Sequence, residues 1–239
     1  MYLEEFRIGH LYSVSEVSKS ETGGGEGVEV IEEVDFDERC SPPSFPLLAN
    51  GQTFTEGCYT HKAYHGAAKL PRMTHMLLPR VKGAFVEHSW SAFPYCRSVI
   101  TIFGLTGWDF RERVVRKLDI ANDPLPTADY QTGWDPCLVG SEKAGRAPLP
   151  KDGTGEWMNK VNPVMTCYKV VKVWFNWFGL KDRVEKQVLK YYDTYFLNFH
   201  RKLVCWMDEY HGLTMEEIRR IELETREKLS PVRKDVLLY

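Results

Sequence analysis

The chain has 239 residues and a formal net charge of −2, so no global field draws it to nucleic acid or to an acidic membrane. Hydrophobic residues make up 43% and charged residues 27%, as in a soluble globular protein able to enclose a large core. No run of about 18 apolar residues offers a spanning helix. Six cysteines are scattered without a CxxC pair, which argues against zinc and against a disulfide scaffold. Met1-Tyr-Leu-Glu-Glu-Phe6 is too acidic for a signal peptide, so a reduced, cytoplasmic protein is expected. Aromatic content is high at 13% and needs a use.

The spacing of Leu11, Val14 and Val17 predicts a helix over 8–19, stopped by Glu21-Thr-Gly-Gly-Gly25. These glycines lack the Gly-Lys-Ser/Thr ending of a phosphate loop, and Glu21 and Glu26 would repel phosphate, so a connector is expected. Residues 28–34 read as a strand, followed by a polar loop over 35–56. Residues 58–65 alternate again, placing Thr60, Lys62 and Tyr64 on one face. His61 and His65 on a strand lie roughly 13 Å apart, too far to share a metal ion.

A Pro-flanked segment at 69–83 has the look of a short amphipathic helix. Strand character returns over 85–102, with Cys96, Ser98 and Ile100 on one face and Arg97, Val99 and Thr101 on the other. A helical pattern follows from Leu105. Residues 119–163 are rich in Pro, Gly, Asp and Lys with little period, a length that is functional or mobile in most compact domains.

Residues 165–177 form the next strand, with Met165, Cys167, Lys169, Val171, Val173, Phe175 and Trp177 in one row. Beyond the aromatic turn Trp177-Phe-Gly-Leu180, a stripe from Val184 through Val188, Tyr192, Tyr195, Phe199, Leu203 and Trp206 to Tyr210 predicts one helix of roughly eight turns. A last helix covers 213–229, opened by the capping box Thr214-Met-Glu-Glu217 and striped by Met215, Ile218, Glu222, Thr225 and Leu229. No internal repeat is present, and a single domain over 1–239 is the simplest partition.

Lys169 stands in an otherwise apolar row, where an unpaired ammonium is costly. It can snorkel to the rim, pair with a carboxylate such as Glu222, or meet an anionic ligand. With Lys62 on a second strand beside Thr60, the two amines, the hydroxyls of Thr60 and Ser98 and a carboxylate together suit a ligand bearing both phosphate and hydroxyls.

At these residues the chain resembles the phosphatidylinositol transfer proteins, START-like lipid carriers. The likeness runs in order through Gly9-His-Leu-Tyr-Ser-Val14, Glu21-Thr-Gly-Gly-Gly-Glu-Gly-Val-Glu-Val30, Tyr59-Thr-His-Lys62, Ala92-Phe-Pro-Tyr-Cys-Arg97, Gly145-Arg-Ala-Pro-Leu149, Cys167-Tyr-Lys169, Trp177-Phe-Gly-Leu180, Phe199-His-Arg201, Cys205-Trp206 and Thr214-Met-Glu-Glu-Ile-Arg-Arg220. It implies an α+β fold with a concave, largely antiparallel sheet and long helices enclosing a lipid cavity. It also implies a headgroup site at Thr60, Lys62, Lys169 and Glu222, lined by Cys96 and Ser98. His10 stands where the family has Gln and Ser91 where it has Asn, both beside the headgroup. Trp177 and Phe178 match paired tryptophans that enter the membrane, and Ser141 matches a phosphorylation position.

Two stretches of the family are missing, a first strand ahead of Tyr2 and a segment with a strand and a pocket threonine between Ile102 and Trp108. The function expected is carriage of one phospholipid, phosphatidylinositol foremost, by a monomer that touches membranes transiently and uses no cofactor, metal or nucleic acid. The alternative is a lipid sensor that recruits a partner without moving lipid. An enzyme is disfavoured, because no Gly-x-Ser-x-Gly elbow or poised cysteine is present.

Overall fold

A computed structural model describes residues 1–21, 27–37, 56–65, 84–102, 115–174 and 181–234. Most of the loop expected at 35–56, the short helix at 69–83, the helical pattern from Leu105, and the aromatic turn with Trp177 and Phe178 lie outside these residues. The chain falls into two compact units, each assembled from segments far apart in sequence. One takes Met1–Val17, Asp109–Met165 and Lys186–Arg226; the other takes Ser18–Trp108, Thr166–Glu185 and Glu227–Tyr239.

The second unit holds a five-stranded sheet in the order β1-β2-β3-β4-β5. The alternating stretches become β1 (Gly27–Phe36) and β2 (Gly57–His65), each longer than its pattern suggested. The region read as continuous strand character is two strands, β3 (Ala84–Ala92) and β4 (Tyr95–Ile102), reversed at Phe93-Pro94. Pro94 has no N–H to extend a ladder, so the hairpin turns where the ladder must stop. β5 (Tyr168–Trp174) begins three residues later than the predicted strand, where the Tyr168 amide donates to the Pro94 carbonyl at 3.0 Å. The first four strands pair antiparallel and β5 runs parallel to β4. The fold is α+β.

The helices α1 (Leu3–Glu21), α2 (Trp157–Lys160), α3 (Lys181–Cys205), α4 (Met207–Tyr210) and α5 (Met215–Lys234), with one 3-10 turn at Thr132–Trp134, complete the described elements. α1 starts five residues earlier than expected, because Glu5 accepts from the Tyr2 amide at 2.7 Å and Phe6 is buried. Its buried positions include Phe6, Gly9, Ser13 and Val17, while Leu11 and Val14 are only half-buried. Gly9 explains the rotation: a Cβ there would lie 2.5 Å from the buried Tyr210 ring, so only glycine admits that ring.

The single helix predicted over 184–210 is broken. α3 ends at Cys205, Trp206 leaves helical geometry, and four residues form α4 before the chain turns at Gly212. The Tyr210 hydroxyl donates back to the Leu203 carbonyl at 3.0 Å, closing the break. α5 opens on the expected capping box: the Thr214 amide donates to Glu217 at 2.8 Å, and the Glu217 amide donates to the Thr214 hydroxyl at 3.3 Å.

The long segment without periodicity is built from side-chain to backbone bonds. Asp119 accepts from the amides of Ala121 and Asn122 and from the Trp157 indole, and Asp152 accepts from Thr154 and Gly155. Arg201 of α3 donates to the carbonyls of Ile120 and Asp123 at 2.8 and 2.6 Å, and Arg146 binds Glu5 of α1 through both carboxylate oxygens. Asp and Asn can hold turns through their own side chains, which no hydrophobic period reveals.

Candidate functional site

Alternate residues of a strand share a face, and register decides which rows become neighbours. Here Lys62 pairs with Glu87 and Thr60 with Ser89 across β2 and β3. Ser89 then pairs with Ser98, and Ser91 with Cys96, across β3 and β4. Cys96 pairs with Lys169 of β5. Thr60, Lys62, Ser91, Cys96, Ser98 and Lys169 therefore stand on one face of one sheet.

The middle of this face is a hydroxyl and thiol ladder. Ser89 Oγ lies 3.1 Å from Ser98 Oγ and 3.5 Å from Cys96 Sγ, and Ser91 Oγ lies 3.5 Å from the same sulfur. Ser89, Ser98 and Cys96 are all buried. Beyond them on β4 and β5, Ile100 and Val173 continue the face as apolar side chains.

Glu87 is the residue that sequence reasoning missed. It is only 6% exposed, and the Tyr64 and Ser98 hydroxyls donate to it. Burial pushes its carboxyl up, but Lys169, Lys62 and the two hydroxyls outweigh burial and hold it below the ordinary carboxylate range. Burial likewise works against the Lys169 ammonium, and its neighbours Cys96, Glu87 and Cys167 reverse the direction and raise it. Both groups are thereby held charged. The available signal was the row Glu87, Ser89, Ser91, polar throughout where a core-facing row would be apolar. The carboxylate facing Lys62 and Lys169 on the sheet is thus Glu87, whereas Glu222 was the one weighed from sequence.

Glu222 lies on α5 in the other unit, partly buried, where Arg219 binds it at 3.0 Å. His10 lies on α1 in that unit too, its ring edge-on to Phe199 at 5.3 Å and 5.8 Å from Phe6. Ser141 is buried. Its hydroxyl donates to Asp208 and accepts from the Ala144 amide at 3.1 Å, inside a turn closed by the Ser141–Arg146 bridge. Trp177 and Phe178 lie outside the described residues. Cys167, beside Lys169 in sequence, has its thiol pushed up to about 11, first by burial and then by Cys96, so near neutral pH it is a thiol and a poor nucleophile.

The opposite face of the sheet is aromatic. Phe36 and Trp90 form its core with Tyr59, Ala92, Tyr95 and Val99 packed on them. The His61 and His88 rings stack at 4.4 Å, with the Tyr59 hydroxyl 2.7 Å from His88 Nδ1. This face is mainly aromatic packing, with the buried Arg97 set opposite Trp90.

A mixed sheet that gathers ammonium, carboxylate and hydroxyl groups on one face defines an α+β protein with one charged, polar sheet face. Comparison with known proteins narrows the class. The sequence profile of the family described as phosphatidylinositol transfer protein matches residues 1–106 and 101–227, and the chain belongs to this family. It is 36% identical to the human phosphatidylinositol transfer protein beta isoform, over 97% of this chain and 90% of that one. Phosphatidylinositol transfer protein 1 of Dictyostelium discoideum is 34% identical over 95% and 89%. Membrane-associated phosphatidylinositol transfer protein 2 of the mouse is 31% identical, over 96% of this chain but 18% of its own length.

The human alignment spans 259 positions against a chain of 239, so at least 20 positions of that relative have no counterpart here. The two profile matches overlap at 101–106. That joint falls in the stretch from Ile102 to Trp108 where the resemblance puts the missing segment.

Proposed function

We propose that this protein binds one phospholipid, most favourably phosphatidylinositol, in an internal cavity and exchanges it between membranes. Family membership over nearly the whole chain carries the reading. The face built by Thr60, Lys62, Ser91, Cys96, Ser98 and Lys169 supports it, since ammonium groups suit a phosphate and hydroxyls and carboxylates suit an inositol ring. In this reading Glu222 and His10 complete the headgroup contacts, the concave sheet and long helices enclose the acyl chains, and Trp177 with Phe178 docks transiently on the membrane. The protein acts as a monomer in the cytoplasm, needs no cofactor, and breaks no bond.

The energetics set what such a carrier must offer. A diacyl lipid exposes some thirty methylenes, each worth about 0.8 kcal/mol when removed from water. The cavity must match the bilayer almost fully, or the lipid stays behind. The aromatic row of α3, in which Tyr192, Tyr195 and Phe196 touch one another and Phe199 stacks on Tyr195, is a suitable lining. Among the described residues no helix is long and apolar enough to cross a membrane.

The test is transfer of labelled phosphatidylinositol between vesicles, with organic extraction and mass spectrometry of the bound lipid. One equivalent of phosphatidylinositol and measurable transfer are expected. Tight binding with no transfer would overturn exchange, and another phospholipid in the extract would overturn the inositol assignment. Lys62→Ala and Glu222→Ala should cut inositol-lipid transfer selectively, whereas equal loss for every lipid would show that they act on folding.

A further inference from the structure

We propose that Glu87 is the specificity-determining residue that matches this binding face to a headgroup carrying a single negative charge. The inference rests on the phospholipid-carrier reading and adds to it a rule for which phosphates are accepted. Two ammoniums, Lys62 and Lys169, address the buried part of the face, and Glu87 is the carboxylate set among them. Their sum on the sheet face is one positive charge, and Glu222, which the carrier reading adds to the headgroup contacts, is paired with Arg219 and adds no net charge. A phosphodiester such as that of phosphatidylinositol brings one negative charge and leaves the buried site neutral. A phosphate monoester such as phosphatidic acid takes a second charge at a pKa near about 6, and that charge would sit uncompensated in a low-dielectric site beside Glu87.

Glu87 is built to stay ionised in this role. The hydroxyls of Tyr64 and Ser98 donate to it, leaving acceptor capacity on its oxygens for a ligand hydroxyl. The other titratable groups on the face are Cys96 and Cys167 on the β4–β5 side, Cys58 on β2, and Glu33 and Asp35 on the edge strand β1. Glu33 and Asp35 are exposed, where water and salt screen them. Glu87 is therefore the carboxylate that sets the charge of the buried sheet face.

The experiment offers the purified protein vesicles with equal phosphatidylinositol and phosphatidic acid at pH 7.4 (roughly where the monoester carries its second charge), re-isolates it, and measures bound lipids by mass spectrometry. The wild-type protein should load phosphatidylinositol preferentially. Glu87→Gln keeps the shape and removes the charge, and should move the bound ratio about tenfold toward phosphatidic acid. Tyr64→Phe removes a hydroxyl but no charge and should leave the ratio within about twofold of wild type.

An unchanged ratio in Glu87→Gln, with phosphatidylinositol loaded by the wild type, overturns the role of Glu87 alone. Loading of neither lipid by the wild type overturns the carrier reading and this inference with it. Should Glu87→Gln not fold, the wild type supplies the test. Its preference for phosphatidylinositol should grow several-fold between about pH 5.5 and 8 as the monoester ionises, while Glu87, held low, and Lys169, held high, keep their charges. A flat ratio across that range overturns the proposal.

Discussion

The sheet face and the segment at 115–165 bury polar groups in opposite ways. In the segment, charges are met largely by backbone groups of their own unit, with a few side chains such as the Trp157 indole and Glu5 beside them. Arg201 is spent on two carbonyls, Asp119 on amides and an indole, and Asp135 on the Cys137 amide and the Tyr130 hydroxyl. On the sheet, side chains meet side chains across strands: Lys62 and Lys169 with Glu87, Ser89 with Ser98, Ser91 with Cys96. A charge closed on backbone is structural, because exchanging its partner means unfolding a turn. A charge facing other side chains can exchange them for ligand groups of matching chemistry without unfolding a turn.

Substitutions can break or sharpen this contrast. The largest effect is expected for Glu87→Gln, which removes the carboxylate facing Lys62 and Lys169 and should cost about 3–5 kcal/mol at neutral pH. The folded pKa of Glu87 lies below its unfolded value. Its contribution is therefore present above the unfolded pKa of about 4 and is lost as pH falls through the folded value. Urea midpoints of wild type and Glu87→Gln should differ at pH 7 and converge in acid; a gap independent of pH would refute the charge argument.

Next comes Arg201→Met, which keeps much of the volume but orphans the Ile120 and Asp123 carbonyls, for a loss of about 2–3 kcal/mol. Chemical denaturation reads this loss. If the contrast holds, headgroup selectivity survives in Arg201→Met and fails in Glu87→Gln; loss of selectivity in both would erase the distinction between scaffold and site.

Gly9→Ala is a smaller perturbation. The added methyl meets the Tyr210 ring at 2.5 Å, and overpacking of this kind costs about 1–3 kcal/mol. Thermal melting checks it, and the companion Gly9→Ala/Tyr210→Leu should recover part of the loss. The smallest effect is expected for Thr214→Ala, which removes the α5 cap at about 1 kcal/mol. Hydrogen exchange should show faster amides in the first turn of α5 and little change elsewhere.

Wherever a period of two or a cap was sufficient, the sequence by itself determined the local structure. It grouped Thr60 with Lys62 and Tyr64, Cys96 with Ser98, and Lys169 with Val171 and Val173, and it marked Thr214–Glu217 as a helix start. These follow from side-chain geometry within one element, which needs no partner. Only the tertiary structure decided that Glu87 faces Lys62, that the strand turns at Pro94, that α3 breaks at Trp206, and that the aperiodic segment is ordered. Each of those depends on register or on hydrogen bonds between residues distant in sequence. A row of alternating side chains says which residues share a face, but the charge of that face is set by which rows the pairing brings side by side.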